Sequence, residues 1–144
     1  MGFPGRASMK GNRSDSRVEP QKLYSILMSS LAVGAAISVA VGGLLLIGRV
    51  NVGLTIGTFV VVSILIAVSV LILRSNRRAQ DLGAVLSVLA ITSSAFNPAH
   101  LLALYEFYKF QFVDLAMILG FYVFPLLYLF LWVKSRATAR TQSI

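Results

Sequence analysis

The side chains able to do chemistry cluster in one stretch: Ser87, Thr92, Ser93, Ser94, Asn97 and His100 lie within fourteen positions of an otherwise apolar run. Ser93, Asn97 and His100 are spaced i, i+4 and i+7, so on a helix they share one face. Their chemistry is that of hydrogen-bond donors and acceptors converging on a polar ligand or a solute path; none of the three is a nucleophile with its base. Pro98 lies inside this set. A proline removes a backbone donor and crowds the preceding turn, which predicts a kink and a carbonyl near Ser94 left free for a water, a hydroxyl or a ligand. The plainer alternative is a kinked helix whose polar groups satisfy one another across a bundle.

The remaining candidates are few. His100 is the only histidine and there is no cysteine, which excludes a bis-histidine haem, a multi-histidine metal site, thiolate ligands, disulfides and thiol nucleophiles within the chain. Pairing His100 with Met117 or Met28 has no supporting motif. Glu106 and Asp114 could in principle share a cation, but Asp114 opens an apolar run where a negative charge suits a helix N-terminus, and Glu106 can meet Lys109. Serine-hydrolase, zincin, P-loop and dinucleotide-binding signatures are missing. No catalytic, metal or cofactor site is therefore expected, and an enzyme is the weakest of the function classes.

The elements that must position these residues follow from where the charges are not. Of 144 residues 57% are hydrophobic and 12% charged, and the windows 23–48, 50–73, 82–105 and 115–133 contain no charged residue. Windows of 19 to 26 residues, at about 1.5 Å per residue, cover a hydrocarbon core of about 30 Å. Continuous Leu, Ile and Val without period-two alternation argues against a β-barrel. The expectation is an all-α, polytopic integral membrane protein: a bundle of four transmembrane helices over about 23–48, 52–73, 82–105 and 112–133. The connections are short, and Gly48 and Gly53 are available for the first turn. Residues 1–22, polar and holding Pro4 and Pro20, read as a disordered basic tail, with 134–144 a second short basic tail. Met9 would serve as a start as well as Met1. The first window is too long for a signal peptide, and Arg6 stands where a myristoylation signal needs Ser or Thr.

Eleven Lys and Arg fall in the two tails and the second connection, against only Arg49 and Lys109 in the other two connections. By the positive-inside rule both termini lie in the cytoplasm, and four spans agree. Arg74, Arg77 and Arg78 fix topology and meet anionic lipid headgroups. The net charge of +8 is thus explained without nucleic acid. Rings alternate with polar groups from Tyr105 to Phe112, as in an interfacial belt, and Tyr128 and Trp132 are expected at the opposite interface.

Helix packing has its own signature. Ser30, Gly34, Ser38 and Gly42 recur every four residues, Ala32, Ala36 and Ala40 form an offset series, and Gly53 and Gly57 stand ready on the second helix. Small residues let backbones approach closely, which drives association where lipid removes the hydrophobic gain, so the stripe on the first helix is expected to meet the second. Pro125 is expected to kink the fourth helix or break its ladder. The functional expectation is an accessory, assembly or interaction subunit of a membrane complex in the cell membrane, partnered by lipid and by another membrane protein or a second copy. The alternative is a small oligomeric transporter or channel using the polar face of the third helix. A reporter fused at either terminus is expected to read as cytoplasmic; a periplasmic or luminal signal at either end would refute this topology.

Overall fold

In a computed structural model, which describes residues 15–48, 51–97, 105 and 112–141, the described residues form helices joined by short turns, with no strand among them. Helix α1 runs Asp15–Leu45, α2 Val52–Leu73, α3 Arg77–Ala95 and α4 Phe112–Thr141, the last interrupted by a π turn at Leu119–Val123. Three stretches are long and apolar enough to cross a membrane: Pro20–Leu45, Thr55–Leu73 and Phe112–Thr141. Of the expected third span, 82–105, α3 supplies only residues up to Ala95. That is about 20 Å of helix at about 1.5 Å per residue, against a hydrocarbon thickness of about 30 Å. Positions 98–104, with Pro98 and His100, lie outside the described residues.

Helix bounds and apolar bounds do not coincide. Helix α1 starts at Asp15, inside the segment read as a tail, and α4 continues to Thr141, past the expected end of its span. Lipid thickness limits the apolar window; backbone hydrogen bonding can continue beyond it. The turns are set by short-range chemistry. Asn51 caps α2 by accepting from the Gly53 N–H at 2.8 Å, and Asn76 caps α3 by accepting from the N–H groups of Arg78 (3.0 Å) and Ala79 (3.4 Å). Gly48 adopts φ +78°, a left-handed conformation that its missing Cβ permits. Ser75 takes φ 55° between α2 and α3, an uncommon conformation for a non-glycine residue.

Helix α1 packs on both α2 and α4, and α3 closes against α4 and the end of α2. The core lies toward the α2–α3 connection: Met28 and Ile72 are fully buried, joined by Val68, Ala79, Ala84 and Tyr128. Tyr128, only 3% exposed, is also a core residue; its hydroxyl has found a buried acceptor. The small-residue stripe of α1 also has a different partner from the one expected. A Cβ on Gly34 would come within 3.0 Å of the Phe124 ring, one on Gly42 within 3.7 Å of Ala116, and one on Gly120 within 3.4 Å of Ser38. The stripe thus seats α4. Helix α2 instead meets α1 along a neighbouring face, where the Ser29 hydroxyl donates to the Ser69 carbonyl at 3.0 Å and Gly43 faces Thr58. Ser30 is exposed, its hydroxyl turned back to the Ile26 carbonyl. Nothing approaches within 4 Å of the place a Cβ on Gly57 would occupy, and a Cβ on Gly53 would meet only the Asn51 side chain.

At Pro125 the disturbed ladder takes the form of the π turn itself: the Phe124 N–H reaches back five residues to the Leu119 carbonyl. These contacts separate two glycine substitutions. Gly34→Leu is expected to cost about 1–3 kcal/mol by forcing the Phe124 ring away, whereas Gly57→Leu should leave the thermal midpoint of the purified protein in detergent unchanged. Equal shifts in the two variants would contradict this assignment of the α1–α4 seam.

Candidate functional site

Two features share the half of the bundle nearest the α2–α3 connection: a polar network at its end and an apolar cavity beneath it. The network starts on α4, where residues four apart, Tyr128, Trp132 and Arg136, point the same way. The Tyr128 hydroxyl donates to the Gln80 carbonyl at 3.0 Å. This approach requires Gly83, because a Cβ there would fall on the tyrosine oxygen. The Gln80 side-chain amide donates to Ser25 Oγ at 3.0 Å, Ser25 in turn donates to the Gln21 carbonyl at 3.1 Å, and Ser75 Oγ lies 3.5 Å from it. One chain of hydrogen bonds therefore ties α4 to α3, α3 to α1, and α1 to the turn after α2.

Outside that chain, Asp81 accepts from the Trp132 indole N–H at 2.9 Å and from the Arg136 guanidinium, both on its Oδ1. Arg136 also lies over the Trp132 ring, 5.8 Å from its centroid. The hydrogen bond from Arg136, seconded by that from Trp132, holds the Asp81 carboxyl below the usual aspartate value of 3.8. The pair is partly solvated, with Asp81 49% and Arg136 33% exposed, so screening keeps its worth to about 1 kcal/mol or less.

Below the network is a cavity of about 340 Å³ bounded by all four helices. Its lining runs from Gly83 to Ser93 on α3 and from Gly120 to Tyr128 on α4. Hydroxyls occur there only at Ser87, Ser93 and Tyr128, and each donates elsewhere: to the carbonyls of Gly83 (2.9 Å), Ala90 (3.1 Å) and Gln80 (3.0 Å). The cavity wall is therefore largely apolar.

The set singled out from sequence is only partly placed. Ser93 borders the cavity but is exposed, Asn97 is exposed just after the end of α3, and His100 lies outside the described residues. The Ser94 carbonyl, expected to be free, accepts the Asn97 N–H at 3.1 Å because the helix tightens in its last turn. The polar side chains that α3 buries are Gln80, Ser87 and Ser94. Among the described residues no group of three His, Asp or Glu is placed to hold a metal ion. Sequence reasoning missed Gln80, Asp81 and Ser25, and gave Arg136 only a topological role. The available signal was Asp81, one acid three residues after Arg78 and immediately before an apolar window.

The pH dependence of the Asp81 pair has a definite sign. Its folded pKa is depressed, so its stabilisation is complete above the ordinary value of 3.8 and is lost as pH falls through the lower folded value. Asp81→Asn is expected to lower the thermal midpoint slightly at pH 7 and to narrow the gap from wild type as acidification proceeds below that range. A gap that persists undiminished at the lowest pH would show that Asp81 acts through something other than its charge. Compared with protein-family models, curated proteins and solved structures, the chain matches none of them.

Proposed function

We propose that this is a four-span protein of the cell membrane with both termini in the cytoplasm, working through interaction as an accessory or assembly subunit of a larger membrane complex. Three long apolar helices and the lopsided Lys and Arg distribution support the setting. The observation that carries the functional part is the first two-thirds of α2. No described side chain from Val52 to Ala67 is buried, and Gly57, one glycine of a Gly-x-x-x-Gly pair, faces open space. That spacing serves close helix–helix approach in lipid. Among the described residues nothing approaches Gly57, so a helix of another protein is its natural counterpart.

The transport alternative has less to draw on. The cavity beside Ser93 is walled mainly by carbon, and its three hydroxyl oxygens are too few to replace an ion's hydration shell. The test is a photo-crosslinking residue at position 57 in native membranes, with one at position 85, on the exposed face of α3, as control. A discrete adduct with a different chain, formed from 57 and not from 85, is expected, and Gly57→Leu should remove that chain from mild-detergent preparations. An adduct between two copies of this chain, or none, would overturn the reading.

A further inference from the structure

The cavity has a shape and chemistry of its own. Residues that line it and are nevertheless exposed mark its mouth: Val61 and Ile64 on α2 and Leu89 and Ser93 on α3. The opening is thus lateral, between α2 and α3, below the connection that joins them. At about 340 Å³ it falls within the range of small-ligand sites, about 300–1,000 Å³. Water suits it poorly, since a buried water needs two to four polar partners and the largely carbon wall offers only three hydroxyls, whose hydrogens are already donated to carbonyls so that they can only accept. A partner helix, about 10 Å across, is too wide for it. The occupant must be apolar and thin.

Depth identifies the source. The lining on α3 extends from Gly83 to Ser93, about 15 Å of helix, which is half of a hydrocarbon core of about 30 Å and so the depth of one leaflet's chains. Its upper limit is close to Asp81, and the exposed Arg74, Arg77 and Arg78 stand in the headgroup layer above the α2–α3 gap. A lipid beside that gap need only swing one chain sideways, its headgroup staying at the level where these arginines attract negative charge. We propose that the cavity holds one acyl chain of an anionic phospholipid from the leaflet next to the α2–α3 connection. This rests on the membrane-spanning reading above, though not on the identity of any protein partner.

The chain filling the cavity supplies the packing that the helices leave unmade there, since a void forfeits the dispersion contacts of its walls. The test is native mass spectrometry of the full-length protein extracted from membranes into mild detergent. Wild type is expected to retain one diacyl phospholipid per chain after detergent washing, enriched in anionic headgroups. Ala90→Phe, which fills the cavity, should lower the retained fraction by about tenfold or more, while Val85→Phe, on the outer face of α3, should not. If Ala90→Phe loses its helical circular dichroism, Leu89→Trp at the mouth gives the same readout. Replacing Arg77 and Arg78 together by Gln should abolish the headgroup preference while leaving a lipid bound.

Several outcomes would overturn the proposal: wild type extracted from the membrane fraction without lipid, unchanged occupancy in the folded cavity or mouth variants, a headgroup preference indifferent to the arginines, or a free fatty acid as the only bound species. Recovery of the protein in the soluble fraction would instead sink the membrane reading on which the proposal stands.

Discussion

The bundle depends on the Tyr128 hydroxyl reaching the backbone of α3. The ring can approach only across Gly83; it meets the carbonyl of Gln80, the residue whose side-chain amide donates to Ser25 of α1. Leaving a buried donor of this kind unpaired costs about 1–3 kcal/mol. In lipid, where chain and solvent are equally apolar, such specific bonds and close backbone approach must do what hydrophobic burial does in water. The core of Met28, Ile72 and Val68 gathers around this point. In the opposite half α1 and α2 approach through a small residue instead, with Gly43 facing Thr58.

The sequence was most informative where a physical limit acts on a whole segment. Charge-free windows located α1, α2 and α4 because a charge inside any of them would be costly, and the four-residue spacing of Ser30, Gly34, Ser38 and Gly42 revealed a face on which another helix would rest. Which helix rests there was not legible. A stripe of small residues states that something comes close, and the short α1–α2 turn made α2 the obvious candidate. Phe124 facing Gly34, with Gly120 and Ala116 on the same side, decides for α4, and that choice depends on the shapes of large side chains far along the chain.

The polar features were the least legible. Ser93, Asn97 and His100 attracted attention by spacing, but spacing gives a common face without saying which way the face turns; α3 turns Gln80, Ser87 and Ser94 inward. The network at the end of the bundle joins Ser25, Gln80 and Tyr128, separated by about fifty residues at each step. No local pattern encodes such a meeting. The cavity is harder still to anticipate, since it is made by what α2 and α3 fail to fill.

The π turn at Leu119–Val123 bears on how this protein can change through insertion and deletion. It contains one more residue than an α-helical turn would; contacts with α1 lie on both sides of it, at Ala116 and Phe124, and the residues that bind α3, Tyr128 and Trp132, lie beyond it. Removing one residue there would restore a regular helix and rotate everything beyond it by about 100°. Tyr128, Trp132 and Arg136 would then leave Gln80 and Asp81 together. Length within α4 is therefore constrained at a point where no charge or catalytic group stands, and one codon lost there would be felt three turns away.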